Sequence, residues 1–169
     1  RILKPILRPY DALGSTRYVD FDTTRPVYAT RADKCHISHV VADTDSWEQK
    51  MAEALEDMPE LIRYVKNHNL GFTIPYTLNG EERNYIPDFI ACIQLPSPSG
   101  RGAGGEGNLL NLIVEVTGEK KKDKAAKVAT VRTLWIPAIN NHGGFGRWDF
   151  IEIDDPWDAE NAIRSGIVD

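Results

Sequence analysis

Two carboxylates lie beside apolar segments that read as buried strands. Asp88 follows Pro87 at the head of "DFIACIQL", and Glu115 sits between Val114 and Val116 in "NLLNLIVEV". A carboxylate taken out of water costs several kcal/mol unless a cation or strong hydrogen bonds meet it. If the two segments pair antiparallel with Leu95 opposite Asn108, Asp88 falls opposite Glu115. Cross-strand partners on one face have Cβ atoms roughly 4.5–5.5 Å apart, and like charges placed so repel. A divalent cation reverses the sign of that interaction, and Mg²⁺ accepts one or two carboxylates while keeping waters for chemistry. A one-residue slip of register would send one carboxylate to the other face. The plainer alternatives are a turn residue at Asp88 and a strand-end carboxylate at Glu115 that accepts backbone N–H bonds.

Five lysines follow within eight positions: Lys120, Lys121, Lys122, Lys124 and Lys127. Beside a metal site they would contact phosphates, and binding would then weaken steeply with salt. The usual fate of such a run is the solvated face of a helix, which stands as the alternative.

The elements that must position these residues follow from periodicity. The segment before "DTDSWEQKMAEALEDM" carries two or three short strand-like runs. Trp47, Met51, Ala54, Leu55 and Met58 then recur at helical spacing. Asp45 or Ser46 is the expected N-cap, with Glu48 or Gln49 closing a capping box. Pro59 fits the first turn of a second helix, "PELIRYVKNHN", ended by Gly71. "GFTIPYTL" reads as a strand, Asn79-Gly80 as a two-residue hairpin turn, and "EERNYIPDFIACIQL" as the return. "PSPSGRGAGGEGN" is a loop by composition. "LLNLIVEV" is apolar on both faces, hence central in a covered sheet. A helix with Ala126, Val128 and Ala129 as packing residues follows, and Pro137 ends it or starts the next element. "RWDFIEID" is a last strand and "PWDAENAIRSGIV" a short helix. Trp135, Trp148 and Trp157 are expected in the core. The result is an α/β chain with a mixed β-sheet flanked by helices. Residues 1–16 read as a linker from a larger upstream polypeptide, and residues 17–169 as a single domain.

The 169 residues carry 41% hydrophobic and 27% charged side chains with a net charge of −5, ordinary for a globular domain. That balance disfavours a protein that coats nucleic acid nonspecifically and leaves room for a local basic face. Two cysteines make no disulfide framework, so a cytoplasmic location is the default expectation. No apolar run reaches the ~18–20 residues that span a bilayer, so no membrane partner is expected. "GRGAGG" at residues 100–105 fits GxGxxG but leads into a strand rather than a helix, so it does not cradle a phosphate. Cys35, His36 and His39 lack a second ligand pair and read as structural.

Taken together, Pro87-Asp88, a strand, a variable loop and Glu115 near the end of the next strand resemble the PD-(D/E)XK nuclease signature. The segments "SWEQKMAEALED", "VKNHNLGFTIPY", "YIPDFIA", "LIVEVTGEKKKDKAAKVAT" and "LWIPAINNHGGFGRWDF", in that order, resemble the C-terminal endonuclease domain of the restriction (helicase-nuclease) subunit of type III restriction enzymes. The resemblance spans most of residues 35–155. The pair of carboxylates alone is weakly specific, and the ordered set of segments much more so.

The resemblance implies a restriction-endonuclease-like fold and a Mg²⁺- or Mn²⁺-dependent hydrolysis of double-stranded DNA. Asp88 and Glu115 would be metal ligands and catalytic, the Val116 carbonyl a further ligand, and Glu48 an additional carboxylate from the first helix. It also implies an upstream helicase-like ATPase region of the same polypeptide and a methyltransferase or specificity subunit as partners. The chain departs from the pattern where the family's lysine, two positions after the glutamate, is replaced by Thr117. Threonine carries no charge, so Lys120 or Lys121 would have to reach back into the site on a long arm. The alternative is a catalytically degenerate nuclease fold that binds DNA or a partner without cleaving.

Overall fold

The computed structural model describes residues 15–42, 46–96, 108–117 and 123–167. Its centre is a four-stranded mixed sheet built from β3 (Leu61–Lys66), β6 (Phe89–Gln94), β7 (Leu109–Val116) and β8 (Arg147–Ile153), in that spatial order. β3–β6 and β6–β7 pair antiparallel, and β7–β8 pair parallel. A parallel neighbour requires a crossover, and α2 (Lys124–Thr130) and α3 (Ile136–His142) supply it. Two small hairpins stand outside this sheet: β1 (Val27–Ala29) with β2 (His39–Val41), and β4 (Ile74–Leu78) with β5 (Glu81–Tyr85).

Strand alternation divides the core in two. Phe89, Ala91, Ile93, Leu110, Leu112, Val114 and Ile153 face α1 (Trp47–Asp57) and α4 (Ala159–Gly166), where Met51, Leu55 and Ile163 are fully buried. Ile113 and Phe150 face the other way and meet Ile74, Tyr76 and Tyr85 of the β4–β5 hairpin and Val131 at the end of α2. β7 is thus covered on both sides, as its sequence requires.

Local chemistry fixes most boundaries. Ser46 caps α1 by accepting from the Gln49 N–H at 3.1 Å. The reciprocal half of a capping box does not form: Gln49 turns to Glu53 and Glu48 to Lys66. Asp45 lies outside the described residues. Asn79 and Gly80, at φ 52° and 78°, make the left-handed pair that joins β4 to β5. Between α2 and α3 a π-helical turn, Val131–Trp135, keeps the helix continuous into Pro137. The wider turn relieves the clash that a proline ring otherwise makes with the carbonyl four residues back.

Three expectations are corrected. Residues 61–66 form strand β3, not a helix: Ile62, Tyr64 and Val65 suit a strand, and pairing with β6 outweighs the helix-like signals of Pro59 and Gly71. Gly71, at φ 77°, belongs to the loop after β3. "EERNYIPDFIACIQL" is two strands, split at Ile86-Pro87, because Pro87 has no N–H to continue a ladder. Trp157 is 62% exposed rather than core, whereas Trp135 and Trp148 pack with Phe72. Among the described residues no helix is long and apolar enough to cross a membrane.

Candidate functional site

The β6–β7 register runs from Gln94↔Leu109 to Phe89↔Val114, so Asp88 and Glu115 are the next pair, one step past the ladder's end. The Leu95 N–H bonds the Asn108 carbonyl at 2.8 Å, which is the register expected from sequence. Glu115 shares its face with Ile113 and so points toward the β4–β5 hairpin and α2.

The ladder's end is shaped by Pro87. The Thr117 N–H bonds Ile153 of β8, so by strand alternation the N–H and carbonyl of Val116 point to the β6 side. Their cross-strand partner there is Pro87, which has no N–H to offer the Val116 carbonyl. The Val116 N–H donates instead to Asp88 Oδ2 at 2.8 Å. Asp88 is also fixed from behind, since its backbone carbonyl accepts from the Asn67 N–H at 2.8 Å. Asn67 in turn donates from Nδ2 to the Phe72 carbonyl at 2.7 Å, which holds the loop after β3 against the site.

Glu115 is met by Tyr85, whose hydroxyl donates to Oε2 at 2.5 Å. Burial and the Asp88 charge push the Glu115 carboxyl up to about 7. The Tyr85 hydroxyl, the Asp88 backbone and the Lys127 ammonium pull in the opposite direction. The same burial, with the Glu115 carboxylate beside it, drives the Tyr85 phenol upward. Glu152 lies directly across from Glu115 on β8, where Lys124 neutralises it at 2.9 Å.

Lys127 sits one helical turn past Lys124. Its Nζ lies 5.6 Å from the centre of the Tyr85 ring and 5.9 Å from that of Tyr76. Asp123 tethers the start of α2 to the hairpin by accepting from Arg83 at 3.0 Å and from Tyr76 at 3.4 Å.

The structure therefore brings together Asp88, Glu115, Val116 and Lys127. It sets Glu48 on the other side of the sheet and directs the Thr117 hydroxyl to β8. The Thr117 hydroxyl donates to the Ile153 carbonyl at 3.4 Å, on the β8 side. Glu48 is on α1, across the sheet, and its carboxylate is held at 2.8 Å by Lys66, itself over the ring of Phe89. Lys120, Lys121 and Lys122 lie outside the described residues. Among the described residues, no three or more His, Cys, Asp or Glu side chains gather so as to hold a metal ion. Asn140 is engaged with the Trp148 backbone, accepting its N–H at 2.8 Å, and shapes the turn into β8.

Sequence reasoning missed Tyr85 and Glu152 and read Lys127 as one of a run of five lysines in phosphate contact beside the metal site. Each left a signal. Glu152 shares strand parity with Phe150. Lys127 is four residues before Val131, so the two share a helix face and a buried Val131 turns Lys127 inward. Tyr85 had no such signal, because its approach to Glu115 depends on the hairpin folding over the sheet. No protein-family model, no curated protein and no solved structure matches the chain.

Proposed function

We propose that this chain is a metal-dependent endonuclease domain that hydrolyses DNA phosphodiester bonds, with a restriction-endonuclease-like arrangement of its mixed sheet. The observation that carries the reading is the cross-strand pairing of Asp88 with Glu115 at a ladder end that Pro87 cuts short. Two carboxylates and the Val116 carbonyl are hard oxygen donors of the kind Mg²⁺ and Mn²⁺ take. When bound, such an ion lowers the pKa of water and offsets charge on the phosphate oxygens. The chain's own groups do the positioning. The Val116 N–H orients Asp88, the Tyr85 hydroxyl orients Glu115, and the hairpin and α2 shield that face of the sheet. In the fuller form of the reading, the domain belongs to an ATP-dependent type III-like restriction enzyme, with the motor upstream and a methyltransferase subunit as partner.

The test is cleavage of duplex DNA with Mg²⁺ or Mn²⁺ by the wild type, Asp88→Ala and Glu115→Ala. Each variant is expected to lose cleavage while keeping a cooperative melt, and the wild type alone should melt higher as Mn²⁺ is added. Undiminished cleavage by both variants would end the assignment. A second reading, a degenerate nuclease fold that binds DNA without cutting, is favoured by the engagement of Thr117 with Ile153 and of Glu48 with Lys66. It expects salt-sensitive DNA binding and no cleavage with either metal.

A further inference from the structure

We propose that Lys127, reaching in from the middle of α2, supplies the ammonium that position 117 lacks and contacts the phosphate presented at Asp88 and Glu115. The proposal takes its substrate class, a nucleic-acid phosphodiester, from the reading above.

Among the described residues, two lysines of α2 stand beside the site, and one is committed: Lys124 is spent on Glu152 at 2.9 Å. Lys127 makes no ion pair among the described residues. Its ammonium is held over the faces of Tyr76 and Tyr85 instead. An aromatic face orients a cation without neutralising it, so the charge stays available to an anion. Tyr85 links the two halves of the site: its ring lies under Lys127 and its hydroxyl rests on Glu115. The stem of Lys127 is half-buried against the hairpin, so little rotamer freedom remains to be lost when a phosphate arrives.

The position is also built from two sides. Asp123 ties α2 to Arg83 and Tyr76, and Val131 anchors the far end of the same helix face in the core. A lysine on this face is therefore aimed by the crossover helix, whereas Thr117 is turned toward β8.

The test compares Lys127→Met, Lys127→Arg and Lys50→Met with the wild type. Methionine keeps the apolar stem, and thermal melting checks each fold. Affinity for a short DNA duplex is measured with Ca²⁺ over a range of salt, and kcat and KM for cleavage with Mn²⁺. Lys127→Met is expected to lower the log–log salt slope by about 0.9, the value for one phosphate contact. It should also lower kcat by about a hundredfold, as loss of one transition-state donor does, with a smaller change in KM. Lys127→Arg should retain the slope, and Lys50→Met, on α1 and paired only with Glu53 at 3.9 Å among the described residues, should leave both quantities near wild type.

An unchanged slope in Lys127→Met, or an equal fall in Lys50→Met, overturns the proposal. So does a lowered slope with kcat intact, which would move the contact away from the reacting phosphate. If Lys127→Met cleaves normally with an unchanged slope, the proposal falls and the nuclease reading stands. If the wild type never cleaves while Lys127→Met still loses its share of the slope, the nuclease reading falls and the phosphate contact stands.

Discussion

At the scale of single residues, Glu115 controls how the site responds to pH. Its carboxyl is raised from the ordinary 4.5 to about 7, chiefly by burial and then by Asp88. Between those two values the folded chain keeps a proton that the unfolded chain has released. Stability therefore falls as pH rises across this window, and the loss is complete above about 7. Glu115→Gln removes the titration while leaving an acceptor for Tyr85. It is expected to be more stable than wild type at pH 8 by roughly 1–3 kcal/mol and nearly equal to it at pH 5. Urea midpoints at the two pH values, in chelator, decide the matter; parallel pH profiles for the two proteins would refute it. Asp88, Tyr85, Lys127 and Glu152 all face this group from β6, β5, α2 and β8, and each is unchanged by the substitution.

At the scale of elements, Glu56 does for α1 what Tyr85 does for Glu115. It is 2% exposed, yet it lies on a helix whose other buried residues are Met51, Ala52, Ala54 and Leu55. Its carboxylate accepts from the Arg31 N–H at 3.1 Å and from the Tyr64 hydroxyl at 3.4 Å, while Arg31 Nη1 donates to its backbone carbonyl at 3.1 Å. Tyr28 is drawn into the same cluster and its phenol is pushed up to about 12, by burial first and by Glu56 next. This cluster fastens the loop between β1 and β2 to α1 and β3. Glu56→Ala leaves the Arg31 N–H and two phenols without their acceptor, which should cost about 3 kcal/mol. Glu56→Gln, which keeps an acceptor oxygen, should cost clearly less. Denaturant unfolding that shows an alanine loss below about 1 kcal/mol would mean that water replaces the carboxylate.

How legible each element was depended on whether its signal was local. The Asn79-Gly80 turn could be read directly, because a two-residue link with both φ positive admits few residue types. Helix α1 was legible from its spacing and its Ser46 cap. β3 was not, because Pro59 and Gly71 stand where a helix over "PELIRYVKNHN" would begin and end. Its strand character lies in Ile62, Tyr64 and Val65, and the deciding partner, β6, is distant in sequence. The Asp88–Glu115 register was legible because both strands flank one loop, so fixing Leu95 against Asn108 fixes the rest. Lys127 and Tyr85 were not legible as a pair, since one comes from the crossover helix and the other from a hairpin outside the main sheet.

At the scale of the whole molecule, the central sheet has to hold two separate apolar layers together. Among the described residues the α1–α4 layer and the hairpin–α2 layer share no buried residue, and they meet across β7 and β8, whose side chains alternate between them. The carboxylates stand at the edge of the second layer, and their alignment depends on strands whose other faces belong to the first. One cooperative unit is the expectation, with strain in either layer felt at the site. Phe89→Ala empties the largest fully buried side chain of the first layer and should cost about 3–5 kcal/mol. Near-ultraviolet circular dichroism reports the Phe72, Trp135 and Trp148 cluster of the second layer, and the far-ultraviolet signal reports the whole backbone. Both should shift to the same lower denaturant midpoint in Phe89→Ala. A near-ultraviolet midpoint that stays at the wild-type value would mean that the second layer unfolds on its own, and that Asp88 and Glu115 are aligned by the hairpin and α2 without help from α1.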